Sequence, residues 1–294
     1  MYGDIRPVYD DIKGILTDMG EETHSPTLFR DEIINEVCSV LISENKPNAM
    51  LIGPAGSGKT NIVEELARRI KRKDRRVPNK LYGYHVYSLN LSDIVSGSGL
   101  VGELERKVQR LIDFLENAEN RAILFLDEIH MLFTGETYKK IAQILKPALS
   151  RGKFMVIAAT TTQEVRRVDE DPAFNRRFTR VIVDELTKDQ TKKILKRTVK
   201  GMEKHYGMKI SFTTGMADLI VRTADEFCSV GSHRPDNAIT LMDRAVASRV
   251  MEMQTDADSD EDMIKLDEKL VEDTAFRLIS GNSSVKEFDA DAFR

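Results

Sequence analysis

The chain has 294 residues, of which 41% are hydrophobic and 31% are charged, and its formal net charge is −4. This mixture supports a sizeable core in a soluble protein of about two domains, and the small net charge does not demand a nucleic-acid partner. No apolar run reaches the roughly 18 residues of a membrane-spanning helix, and the acidic N-terminus lacks the apolar segment of a secretory signal.

The two cysteines, Cys38 and Cys228, are too few to form a disulfide framework. Free thiols persist in a reducing compartment. We therefore expect a cytoplasmic protein that does not associate with membranes.

Short apolar runs alternate with amphipathic segments through the first 187 residues. Strands are predicted at 49–53, 84–91, 121–128, 153–161 and 180–186, with helices predicted at 61–73 and 103–118. Alternating strands and helices favour parallel pairing and a sheet covered on both faces. The sequence thus predicts an α/β core with a parallel sheet.

Beyond Lys188 the strand pattern ends, and three helix-like segments predict a second, all-helical domain. Residues 253–294 contain 12 acidic and 5 basic side chains, so the negative charge is concentrated at this end. A solvated acidic linker at 256–262 is followed by one more short helix. The predicted organisation is an N-terminal arm (1–24), an αβα core (25–187), a helical lid (188–253) and an acidic linker with a C-terminal helix and tail (254–294).

The strongest motif is GPAGSGKT at 53–60, which fits G-x-x-x-x-G-K-S/T between a predicted strand and a predicted helix. Such a loop binds phosphate through backbone N–H groups, a lysine charge and the N-terminus of the helix. The hydroxyl of Thr60 suits Mg²⁺. The predicted nucleotide-binding residues are Gly53, Pro54, Ala55, Gly56, Ser57, Gly58, Lys59 and Thr60.

Two acids, Asp127 and Glu128, follow the apolar strand at 121–128. A P-loop enzyme needs a carboxylate for Mg²⁺ and a group that activates the attacking water. We expect Asp127 to hold the metal through water and Glu128 to polarise the attacking water.

Three threonines end the next strand, at 160–162, and a hydroxyl there is expected between Glu128 and the γ-phosphate. Arg176 and Arg177 follow in FNRRF. Two adjacent arginines indicate either a solvated surface or a cation supplied to a neighbour's phosphate, and the residues alone leave both interpretations open.

The order of these motifs resembles the AAA+ family, in particular the first ATPase module of the Clp/Hsp100 unfoldases such as ClpA, ClpB and ClpC. The resemblance runs from about Ser25 to about Ser284, and it implies a P-loop AAA+ core followed by a lid. Its blocks occur in family order: SPTLFRDE, GPAGSGKT, LFLDEIHMLFTGE, LKPALSRG, DPAFNRRFTRVIVDE and PDNAITLMDRA.

The resemblance implies a hexameric ring that hydrolyses ATP with Mg²⁺ between subunits and pulls a polypeptide through its pore. Thr161 matches the residue that senses phosphate after the strand, with Thr160 as the neighbouring option. Arg176 and Arg177 match the arginine fingers. The residues implied to flank the adenine are Leu28 and Phe29 and, from the lid, Ile194 and Leu195.

Several features differ from the family pattern. The implied pore loop is Gly99, Leu100, Val101 and Gly102, and Leu100 stands where the family has an aromatic. Leucine can still make apolar contact but lacks a large flat face. We also expect no N-terminal substrate-binding domain, no second ATPase module and hence no docking to ClpP.

In the lid, Arg234 precedes Pro235 as in second modules of the family, while PDNAI keeps the pattern of first modules. Arg234 is predicted either to sense the γ-phosphate of its own subunit or to be a solvated residue at a helix start.

The leading functional hypothesis is a ring-forming ATPase that remodels or unfolds proteins. The first alternative is a nucleic-acid-associated ATPase, such as a helicase loader or replication accessory, because seven of the ten residues at 67–76 are basic. The second is a regulator of a host Clp complex.

Overall fold

A computed structural model of the chain describes residues 12, 14–21, 26–95, 101–227, 233–255 and 263–280. The chain divides into two compact bodies. The core body holds the described residues of Met1–Gly53 and Lys59–Val183, and the lid body holds Pro54–Gly58 with those of Asp184–Arg294. Within these described ranges, no helix combines the length and the apolar character needed to cross a membrane.

A six-stranded sheet forms the centre of the core body. The strand order is β1-β3-β4-β5-β2-β6, and all neighbours are parallel except β1 and β3. The strands are β1 (Leu16–Asp18), β2 (Asn48–Ile52), β3 (His85–Leu89), β4 (Ala122–Leu126), β5 (Met155–Thr160) and β6 (Thr179–Ile182). The predicted parallel α/β core is confirmed.

Alternation along the buried strands produces two apolar layers, one on each face of the sheet. In β2, Met50 and Ile52 belong to one cluster, and Ala49 and Leu51 belong to the other. All five residues of β2 and all five of β4 are buried. A strand covered on both faces reads as a continuous apolar run, which is why these strands were recognisable in the sequence.

Seven helices of the core body lie within the described ranges. They are α1 (Asp31–Leu41), α2 (Lys59–Lys71), α3 (Leu91–Val95), α4 (Val101–Glu116), α5 (Gly135–Arg151), α6 (Val165–Asp169) and α7 (Pro172–Asn175). Helix α4 buries the stripe that its spacing predicts, at Leu104, Val108, Leu111, Ile112 and Leu115.

Strand β1 was not predicted. It pairs antiparallel with β3 at the edge of the sheet, and Asp18 Oδ2 lies 2.8 Å from His85 Nδ1. Three residues are too few to show a period of two, so pairing with an existing strand decides their conformation.

The lid body contains α8 (Lys188–Tyr206), α9 (Thr214–Phe227), α10 (Asp236–Thr255) and α11 (Glu268–Ser280). Thr187 begins α8 with a capping box, because its side chain accepts from the Gln190 backbone while the Gln190 side chain accepts from Thr187 N. The helical lid is confirmed, but the prediction that it is entirely helical was wrong. Strands β7 (Lys209–Ser211) and β8 (Met263–Lys265) form a parallel ladder within it.

Helix α11 packs into the apolar cluster of the lid body through Leu270, Val271 and Ala275. The lid body therefore continues beyond residue 253, where the sequence placed the start of a linker and tail. This continuity could not be predicted from the sequence, because the acidic run at 256–262 is typical of a linker. The strand that follows it, β8, has only three residues and shows no recognisable pattern.

Candidate active site

The P-loop connects β2 to α2, and two of its glycines have left-handed backbone conformations. Gly56 has φ 78° and Gly58 has φ 86°, values that side chains with a Cβ rarely adopt. At the core end of the loop, Gly53 N donates to Thr160 O, which ties the loop to the end of β5. Left-handed glycines of this kind suit a loop whose backbone N–H groups bind phosphate.

Lys59 is the first residue of α2, and its ammonium is largely buried. Its Nζ donates to Gly53 O at 3.0 Å. Burial lowers the pKa of Lys59, while the charges of Glu128 and Asp127 act in the opposite direction. A desolvated ammonium held at a helix N-terminus is suited to an incoming phosphate.

The side chains of Thr60 and Asp127 place two oxygen atoms that could ligate a metal next to each other. Thr60 Oγ1 donates to Asp127 Oδ2 at 2.8 Å, joining the first turn of α2 to the residue after β4. A hydroxyl and a carboxylate are the ligands that Mg²⁺ takes in such sites. The pair therefore fits the predicted metal-binding role.

Glu128 follows directly and has φ 50°, a conformation uncommon for a residue with a Cβ. Its backbone N donates to Asp127 Oδ1 at 3.0 Å. Burial raises the pKa of Glu128, the charges of Asp127 and Glu164 add to this effect, and those of His130 and Lys59 oppose it. A half-exposed carboxylate with a raised pKa is suited to accept a proton from water.

A side-chain network that the sequence did not predict lies beside Glu128. His130 is buried, with Nδ1 3.2 Å from Glu128 Oε2 and Nε2 3.1 Å from Glu164 Oε1. Thr161 Oγ1 donates to Glu164 Oε2 at 2.7 Å. Thr160 is also buried, and its Oγ1 lies 3.3 Å from His130 Nδ1. Both threonine candidates therefore connect to the same histidine, Thr160 directly and Thr161 through Glu164.

The segment that contains Leu28 and Phe29 is hydrogen-bonded to α2. Thr27 N donates to Glu65 Oε2, and Thr27 Oγ1 donates to Asn61 O. Phe29 has φ 61° and is 37% exposed. The implied adenine-flanking segment thus rests on the helix that begins with Lys59 and Thr60.

The two candidate arginine fingers have different surroundings. Arg176 is exposed at the C-terminal cap of α7. Arg177 is half-buried, and its carbonyl accepts a hydrogen bond from Asn48 Nδ2 at 3.2 Å. Among the described residues, its buried Nε has no hydrogen-bond partner.

In the lid body, Gly56 approaches the start of α10. A Cβ on Gly56 would lie 2.6 Å from the Asp236 Cβ, so this glycine is required by space as well as by φ. Arg234 contacts Glu185 at 3.2 Å and Asp225 at 3.6 Å. Hydrogen bonding to Arg234 lowers the pKa of Glu185.

The other lid candidates differ in burial. Leu195 is fully buried in the apolar cluster of the lid body, whereas Ile194 is half-buried. Gly99 and Leu100 lie outside the described residues. Val101 and Gly102, predicted as pore loop, are the first two residues of α4.

Two family profiles match consecutive parts of the chain. The ATPase family associated with various cellular activities (AAA) matches residues 49–186, and the AAA lid domain matches residues 187–284.

Curated relatives agree with this assignment. The chaperone protein ClpB of Dichelobacter nodosus is 38% identical over 251 residues, which cover 84% of this chain and 28% of that protein. ClpE, an ATP-binding subunit of the Clp protease of Bacillus subtilis, is 37% identical over 75% of this chain and 31% of its own length. The chain thus spans less than a third of either relative.

A solved structure of Saccharomyces cerevisiae Hsp104 in complex with casein superposes with a TM-score of 0.78 at 32% identity, covering 91% of this chain and 45% of that one. Hsp104 bound to ADP gives a TM-score of 0.76 at 33% identity over the same 91% of this chain. The chain therefore belongs to the Clp/Hsp100 group of the AAA+ ATPases, enzymes that hydrolyse ATP.

Proposed function

We propose that this chain assembles into a ring, expected to be hexameric, in the cytoplasm and uses ATP hydrolysis to remodel or unfold polypeptides. The observation that carries the proposal is the joining of Lys59, Thr60, Asp127 and Glu128 at one edge of the sheet, in a chain similar to an Hsp104 structure that contains casein.

In the proposed reaction, Thr60 and Asp127 would hold Mg²⁺, and the ion would neutralise charge on the transferring phosphoryl group. Lys59 binds the β- and γ-phosphates. Glu128 orients a water molecule in line with the γ-phosphorus and accepts its proton. The raised pKa of Glu128 brings its basicity closer to that needed at neutral pH.

The arginines are proposed to act on the nucleotide of a neighbouring subunit. Arg176 is exposed and extends from a short helix cap. Arg177 follows directly and is half-buried. Interface hydrolysis would make activity depend on assembly.

The basic run at 67–76 gives limited support to the nucleic-acid alternative. Arg68 and Arg69 both donate to Glu65, and Arg76 donates to Asp74. Arginines already satisfied by carboxylates are poor phosphate ligands because those ion pairs must first be broken. This arrangement favours polypeptide remodelling over nucleic-acid binding.

Arg234 is proposed to sense the γ-phosphate. Its guanidinium is partly buried and contacts Glu185 and Asp225. Partial burial means that contact with a phosphate costs Arg234 little further hydration, but its ion pairs with the two carboxylates must first be broken. Sensing therefore requires release from Glu185.

The proposal is tested by measuring the ATPase rate of the full chain alone, with casein and with single- or double-stranded DNA. We expect stimulation by casein and not by DNA, with Lys59→Ala as the inactive control. Stimulation by DNA and not by casein would support the nucleic-acid alternative. A change in the rate of a purified Clp ring, with no response to casein, would support the regulatory alternative.

A further inference from the structure

Four side chains form a continuous path of close polar contacts between two residues proposed to face the γ-phosphate. The path starts at Thr161 Oγ1, which donates to Glu164 Oε2 at 2.7 Å. Glu164 Oε1 lies 3.1 Å from His130 Nε2, and His130 Nδ1 lies 3.2 Å from Glu128 Oε2. Each step is within hydrogen-bonding distance.

Two neighbouring strands bring this path together. His130 lies in the short 3-10 turn Ile129–Phe133 after β4, and Glu164 is the N-cap of α6 after β5. Strands β4 and β5 are parallel neighbours, so their carboxyl ends lie side by side. His130 is only 4% exposed, and a buried imidazole requires partners for its polar nitrogens.

The imidazole of His130 bridges two carboxylates. Glu128, His130 and Glu164 are close enough to suggest a shared metal ion. Each nitrogen of the ring also contacts a different carboxylate, Glu128 at Nδ1 and Glu164 at Nε2.

We propose that His130 and Glu164 are positioning residues that couple the Thr161 hydroxyl to the orientation of Glu128. Glu164 uses one oxygen for Thr161 and the other for His130, so both contacts depend on one carboxylate. Glu164 holds the imidazole of His130, and His130 in turn holds the carboxylate of Glu128, so loss of Glu164 leaves Glu128 without a fixed orientation toward the attacking water. The coupling rests on the proposed roles of Glu128 and Thr161, and it does not require polypeptide remodelling.

The test removes the central carboxylate and measures basal ATP hydrolysis without polypeptide. Glu164→Ala deletes both acceptors and should lower kcat roughly tenfold to a hundredfold, with the KM for ATP changed by less than about twofold. Glu164→Gln keeps one oxygen and should recover part of the rate. Glu170→Ala, an exposed glutamate at the other end of α6, is the matched control. Thermal melting should show that the Glu164 and Glu170 variants are both folded at the assay temperature.

Substitutions of His130 provide a second test of the coupling. His130→Asn places an amide near Nδ1 and keeps a contact to Glu128, whereas His130→Gln reaches toward Glu164. If the path acts as a unit, adding Glu164→Ala to either variant should lower kcat by less than the product of the separate losses. Multiplicative losses would overturn the coupling. Because His130 is buried, the Glu164 variants remain decisive if these variants fail to fold.

Two outcomes distinguish this inference from the assignment of the site. A normal rate for Glu128→Gln would overturn the role of Glu128 and the coupling with it. The coupling alone would be rejected if the kcat of Glu164→Ala were within about twofold of that of Glu170→Ala. It would also be rejected if Glu164→Ala changed only the KM for ATP.

Discussion

Thr60 Oγ1 donates a hydrogen bond to Asp127 Oδ2 at 2.8 Å, and this contact joins the start of α2 to the end of β4. The two residues are 67 positions apart in the sequence. The fold therefore brings the two proposed Mg²⁺ ligands together from separate motifs.

The first prediction concerns this pair. Thr60→Val keeps the shape of the side chain but removes the hydroxyl, so the Mg²⁺ concentration for half-maximal ATPase activity should rise roughly tenfold. The measurement is a Mg²⁺ titration of the ATPase rate. Thr162→Val, at an exposed threonine, should leave the midpoint unchanged. Equal midpoints for the two variants would contradict the metal-binding role.

The second prediction concerns assembly. If Arg177 acts on a neighbour's nucleotide, Arg177→Ala chains and Glu128→Gln chains should each be inactive alone. Mixing them should restore part of the activity, because some interfaces then pair an intact arginine with an intact Glu128. The ATPase rate per wild-type subunit should also rise with protein concentration. A rate independent of concentration in a proven monomer would contradict hydrolysis at an interface.

The third prediction concerns Arg234, whose guanidinium contacts Glu185 and Asp225. A contact from this group to the γ-phosphate is worth about 1.5–3 kcal/mol. Arg234→Ala should therefore weaken ATP binding roughly tenfold or more, with much less effect on ADP. Calorimetry with both nucleotides checks this expectation. Arg222→Ala, an exposed lid arginine, is the control, and equal losses for ATP and ADP would rule out a role at the γ-phosphate.

The fourth prediction concerns Glu65, which is buried in α2 and accepts from Arg68, Arg69 and Thr27. Burial by itself would raise the pKa of Glu65, but these hydrogen bonds together outweigh it and leave the pKa below its ordinary value. A carboxylate whose pKa is lower in the folded state than in the unfolded state stabilises the fold at pH values above its unfolded-state pKa. This stabilisation is lost as the pH falls through the folded-state pKa.

Glu65→Gln should therefore lower the free energy of unfolding by about 3–5 kcal/mol at pH 7, because it leaves arginine charge buried without its partner. The difference from wild type should shrink as the pH falls below about 4, where the wild-type carboxylate becomes protonated. Urea unfolding at pH 7 and at acidic pH measures both effects. Glu32→Gln, at an exposed site on α1, should behave like wild type at both.

Much of the fold could be predicted because its determinants are local. The continuous apolar runs of β2 and β4 indicate strands buried on both faces, and the spacing of α4 indicates one apolar stripe. The P-loop was recognisable for the same reason, since Gly56, Gly58, Lys59 and Thr60 are close together in the chain.

What could not be predicted depends on contacts between distant segments. Strands β1 and β8 have three residues each and exist by pairing with other strands. The contact between His130 and Glu164 follows from the side-by-side placement of β4 and β5, which sequence spacing does not encode. The DEIH segment places the histidine two residues after Glu128, but this spacing alone assigns it no role.

The central claim, ATP-driven handling of polypeptides, is tested most directly by fluorescence anisotropy of labelled casein with the Glu128→Gln chain. Loss of water activation should trap the ATP-bound state while nucleotide binding persists. We predict a large anisotropy increase with ATP, little increase with ADP, and none when Lys59→Ala is added. Casein binding that is absent in every state, or equal with ATP and ADP, would contradict the claim.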